Sequence, residues 1–93
     1  MLFVSLCKAK AGSAMRDRIA RRLQWQWPAG ARVIGEYWLQ ADDPTVISVV
    51  EADDITPMMR AQSEWDDMLE ITTIPAVAAE QGLKIAEQLT AGR

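Results

Sequence analysis

Histidine is absent from this chain, and cysteine occurs once, at Cys7. Without histidine the chain lacks the commonest metal ligand and the side chain best suited to proton transfer near neutral pH. Zinc held at Cys/His spacing, a histidine-ligated haem and a Ser/His/Asp set are therefore excluded within one chain. A lone cysteine forms no intrachain disulfide, which fits a reducing compartment. Basic charge is short as well. Ten Lys and Arg stand against thirteen Asp and Glu, a net charge of −3, so nucleic acid is not an expected partner. No apolar run approaches the roughly 20 residues of a membrane span. The opening MLFVSLCKAKAG has no basic region ahead of its short apolar run. Neither a leader nor a membrane partner is expected, and the cytoplasm is the expected location. There is no glycine-rich phosphate loop. Asp42-Asp43 and Asp53-Asp54 lack calcium-loop spacing and read as turn and cap residues, so no metal and no cofactor are expected.

What is there fits one small α+β domain of 93 residues, with a core over 1–77 and a tail over 78–93. A chain this short buries a thin core, which favours oligomerisation. Leu2–Lys8 reads as a strand ended by the turn signal Lys10-Ala11-Gly12. Ser13 is the expected cap of a helix that stops by Pro28, with Met15, Ile19 and Leu23 as its apolar stripe. Arg16, Arg18, Arg21 and Arg22 are expected on a solvated face, offset by Asp17. A hairpin follows over Arg32–Ala52, turning at Ala41-Asp42-Asp43-Pro44. Thr56 is the expected cap of a second helix with Pro57 at its first position. Ile71–Val77 reads as a strand, placed at a sheet edge by Pro75. Ala78–Thr90 reads as a weakly amphipathic helix, with Gly82 against it.

The order βαββαβ predicts a ferredoxin-like fold: a four-stranded antiparallel sheet with both helices on one face. Strand alternation assigns Leu2, Val4 and Leu6 to the helix-covered face and Phe3, Ser5 and Cys7 to the other. In the hairpin, Glu36, Trp38, Ile47, Val49 and Glu51 are expected on the open face, and Tyr37, Val46 and Val50 under the helices; a one-residue bulge would swap these sets. An open face with Phe3, Trp38, Ile47 and Val49 is too apolar for water, so a second copy is expected to cover it. The expected partner is thus a homodimer, sheet face to sheet face.

Met1-Leu2-Phe3-Val4, Trp38, Glu51-Ala52-Asp53-Asp54, Trp65-Asp66-Asp67-Met68-Leu69-Glu70 and Ile74-Pro75-Ala76-Val77 together resemble a short bacterial family of the dimeric α/β-barrel superfamily. The resemblance spans most of residues 1–77. It implies the fold and a dimeric α/β barrel but no reaction, because that superfamily hosts enzymes, haem proteins and simple binding subunits.

Glu36 is the candidate catalytic residue: a carboxylate between sheets would have its charged form disfavoured and could move a proton. The alternative is a structural ion pair with an arginine. Ser5, Cys7, Trp38 and Glu51 are candidate ligand-binding residues. Trp38 offers a stacking face or an interface anchor. Cys7, with no histidine beside it, reads as a buried thiol or a contact, and Ser5 as a hydroxyl for a ligand or a satisfied strand serine. Trp65 belongs in the core by its spacing with Met58, Ala61 and Leu69. Trp25 and Trp27 cover either a barrel mouth or a core edge. Three functions stay open: a homodimer that binds a small, partly apolar ligand; a cofactor-independent isomerase or oxygenase-like enzyme using Glu36; or a partner-binding module without a ligand site.

Overall fold

A computed structural model describes residues 1–91. The elements are β1 (Leu2–Ala9), α1 (Met15–Gln24), β2 (Arg32–Trp38), β3 (Val46–Glu51), α2 (Thr56–Trp65), β4 (Leu69–Ala76) and α3 (Ala79–Thr90). The strands form one antiparallel sheet in the order β2-β3-β1-β4. This is the ferredoxin-like fold with an added C-terminal helix. Pro75 lies in an edge strand, where its missing N–H spoils no inner ladder.

The chain reversals are made by a few side chains. Gly12 takes φ +86° in the turn after β1, a conformation that suits glycine. Ser13 does not cap α1: the N-cap is Ala14. Ser13 Oγ instead donates to the carbonyls of Lys10 and Met68, at 2.9 and 3.0 Å, and so ties the β1–α1 turn to the start of β4. Thr56 is not a cap either. Its backbone N–H donates to Asp54 Oδ1 at 2.8 Å, so the aspartate closes the turn that starts α2.

The sheet faces differ from expectation in two strands. Phe3, Ser5 and Cys7 of β1 are buried under the helices, and Leu2, Val4 and Leu6 line the open face. In β2, Glu36 and Trp38 pair with Ser48 and Val46 on the helix side, while Tyr37 pairs with Ile47 on the open side and is 57% exposed. The cause is the hairpin's length. Seven residues, 39–45, separate the paired Trp38 and Val46, so even-numbered residues face even-numbered ones. A register shift between Val33 and Gly35 changes the parity again toward Arg32. In β3 the expected assignment of Val46 and Val50 to the helix side holds.

Two apolar clusters hold the helices to the sheet. Phe3, Val50, Ala52 and Met58 form one, with Trp27 against it. Cys7, Trp65 and Leu69 form the other, with Trp25, Val46 and Ile71 against it. Trp65 is buried as its spacing implies. The helix α2 buries Pro57, Met58, Ala61 and Trp65, whereas α1 buries none of its residues. The helix α1 therefore stands off the sheet, and a gap opens beneath it. The helix α3 also buries no residue. Among the described residues, no helix is long and apolar enough to cross a membrane.

Candidate functional site

A row of polar residues crosses the helix-facing side of the sheet. Thr73 of β4 pairs with Ser5 of β1, Ser5 with Ser48 of β3, and Ser48 with Glu36 of β2. The rows on either side are largely apolar. One contains Phe3 and Val50, the other Ile71, Cys7, Val46 and Trp38. The two apolar clusters lie on these flanking rows, so the polar row runs along the seam between them. Ser5 and Ser48 are 3% and 2% exposed. Ser5 Oγ and Thr73 Oγ1 share a hydrogen bond of 3.3 Å.

The gap beneath α1 lies over this row. It is a cavity of ≈ 120 Å³ with Ser5, Ser48 and Glu36 in its floor. Met15, Arg18, Ile19 and Arg22 of α1 form one wall, and Met58, Ala61 and Trp65 of α2 another. Trp25, Trp27 and Trp38 also line it. The three lie where α1 ends and where β2 ends. Trp25 meets Trp27 and Trp65 edge to face, at centroid distances of 5.0 and 5.7 Å.

Glu36 is the charged residue of this floor. Arg22 clamps it through two bonds of 2.9 Å, Nε to Oε2 and Nη2 to Oε1. Trp27 Nε1 donates to Oε1 at 3.1 Å and Trp38 Nε1 to Oε2 at 2.8 Å. Burial pushes the Glu36 carboxyl up. The donated bonds from Arg22, Trp38 and Trp27, with the Arg22 charge, outweigh burial and bring it down to about 2. The charged form is thus favoured, opposite to the expectation for a carboxylate enclosed without donors. Burial, and then the Glu36 charge, push the Cys7 thiol up to about 11. At neutral pH it is a protonated thiol and not a nucleophile.

The cavity brings together Ser5, Cys7, Glu36 and Trp38 of the expected site residues. Glu51 lies elsewhere: it pairs with Arg32 at 3.2 Å and half its side chain is exposed. Among the described residues, no group of three or more His, Cys, Asp or Glu side chains could hold a metal ion.

Two arginines went unrecognised as site residues. Met15, Arg18, Ile19 and Arg22 fall at i, i+3, i+4 and i+7, one face of a helix. That spacing places both arginines on the inward stripe, and Leu23, expected there, is 76% exposed. Ser48 shares the helix-facing side of β3 with Val46 and Val50. Its link to Ser5, Thr73 and Glu36 depends on register, which strand parity alone does not supply.

A family model matches residues 1–90. The chain belongs to the family described as Domain of unknown function (DUF3303). That description names no ligand and no reaction, and the match takes in every strand, α1, α2 and α3. Every cavity residue described above thus lies within the DUF3303 match. Comparison with curated proteins and with solved structures finds no match.

Proposed function

We propose that this DUF3303 protein is a cytoplasmic homodimer, assembled as in the dimeric α/β-barrel superfamily, that binds a small, partly apolar ligand without a cofactor. The observation that carries the ligand reading is the Glu36–Ser48–Ser5–Thr73 row under an aromatic-lined cavity. Apolar walls with a few placed polar groups are what small-molecule sites share. Serines in a core contribute less to stability than aliphatic residues that fit, so a role in recognition accounts for them.

The dimer reading rests on the open sheet face. Leu2, Val4, Leu6, Ile47, Val49, Tyr37 and Ile74 share it by register, and Lys8 and Glu70 stand at one end. A self-complementary apolar face suits a two-fold partner. Catalysis by Glu36 is the less supported alternative, because a carboxyl held at about 2 is a weak base at neutral pH.

One variant tests the ligand reading. Ser48→Leu fills the cavity from the sheet side. It is expected to abolish ligand-induced shifts of the indole N–H resonances in nuclear magnetic resonance spectra. Unchanged shifts with the cavity filled would refute the site.

A further inference from the structure

We infer that the cavity takes a single-ring ligand bearing one negative charge, its ring against the tryptophans and its carboxylate on Arg18. This rests on the reading of the cavity as a ligand site.

Size sets the ring count. An apolar cavity of about 150 Å³ is known to admit benzene. At ≈ 120 Å³ this cavity suits one ring and not two.

The charge follows from which groups already have partners. Arg18, Arg22 and Glu36 are the charged residues of the lining. Arg22 and Glu36 neutralise each other. Arg18 has no carboxylate partner among the described residues. Its Nη1 donates to the carbonyl and hydroxyl of Ser13, at 2.6 and 2.9 Å, which holds the guanidinium in place. The Nε and Nη2 donors remain for a ligand. Of the nearby acidic groups, Asp67 is held by Arg21 and Glu64 accepts from the Trp25 indole, and neither they nor Asp17 of α1 line the cavity.

A cationic ligand is the natural rival, since several tryptophans beside a carboxylate can form an aromatic cage. Here those elements are already in use. The Arg22 guanidinium lies 5.4 Å from the Trp25 ring centroid, and that of Arg21 5.3 Å from Trp65. Both Glu36 oxygens accept bonds from Arg22 and from an indole. A cation would meet two protein cations and a saturated carboxylate. An anion meets a guanidinium that has no carboxylate partner among the described residues, beside an apolar wall, where a charge-assisted bond is strong.

Benzoate, benzamide and benzylammonium share one ring and differ in charge. Titration of each into the intact protein is read from the indole N–H resonances of its four tryptophans, all of which line the cavity. Benzoate is expected to bind roughly tenfold or more tighter than benzamide, and benzylammonium weakest. Arg18→Gln is expected to bring benzoate to the benzamide level, Arg18→Lys to retain part of the preference, and Arg16→Gln to change nothing. If benzamide or benzylammonium matches benzoate in the unaltered protein, the charge assignment is overturned and the cavity reading survives. If none of the three shifts the indoles, both fail. The comparison of the three probes needs no variant to fold.

Discussion

Glu36 spends all its acceptor capacity on Arg22, Trp27 and Trp38, and so converts three side chains from separate strand and helix ends into one unit. Its replacement by glutamine leaves Arg22 half-buried beside an uncharged partner. We expect Glu36→Gln to lower stability by about 2–3 kcal/mol, measured by urea unfolding at neutral pH. A loss below a few tenths of a kcal/mol would mean the clamp is ornamental. The pH dependence follows from the direction of the shift. The carboxyl is near 2 in the folded chain and about 4.3 when unfolded. Its contribution is fully present above the unfolded value and is lost as pH falls through the folded one. Stability should therefore fall between about pH 5 and pH 2. Asp54 and Asp67, also lowered by hydrogen bonds, act in the same direction. Glu36→Gln should flatten that limb; an unchanged slope would assign it to other acids. Cys7, buried and held up at about 11, should resist iodoacetamide at pH 8 until the chain is unfolded. Rapid alkylation of the folded protein would contradict its placement.

At the scale of elements, the polar row and the helix above it oppose each other. The helix α2 is fastened by Met58 and Trp65, whereas α1 is held mainly by Arg21 on Asp67 and Arg22 on Glu36. Two ion pairs in place of buried side chains leave room between α1 and the sheet. Ser48→Ala should be neutral or stabilising by up to about 1 kcal/mol while weakening ligand binding, because it removes a hydroxyl that contributes little to the fold. Thermal unfolding and the indole titration measure the two effects separately. A large loss of stability would make Ser48 structural. The elements themselves were legible: each strand and helix follows from its period, and β4 lies at the sheet edge because Pro75 cannot serve an inner ladder. The faces were legible only in part. The alternation in β1 offered two readings, Leu2-Val4-Leu6 or Phe3-Ser5-Cys7, and aliphatic purity pointed to the wrong one. Phe3 is one of the two largest fully buried side chains, and the serine belongs to the polar row. In β2 the parity depended on a connection whose length no local signal fixes. The cavity arginines were legible in their i, i+4 spacing, but an arginine-rich helix face ordinarily faces water.

The sheet carries α1 and α2 on one side, in a molecule 17 Å in its thinnest dimension, and α3 buries no residue. Valines, leucines and isoleucines on the bare side have no cover within the described residues. We expect sedimentation at micromolar concentration to give a dimer, and Val49→Lys to give a folded monomer, because a charge at the centre of a dry interface is left unpaired. A monomer for the unaltered chain would contradict the assembly and leave the cavity reading intact, since every residue of the cavity lies on the opposite side of the sheet. Ligand binding turns on that cavity. A crystal structure of the protein with benzoate tests it most directly. Ring density against Trp25, Trp27 and Trp38, with the carboxylate within hydrogen-bond reach of Arg18, is the result expected. A cavity closed by Met15 and Met58, with no density over Ser48, would contradict it.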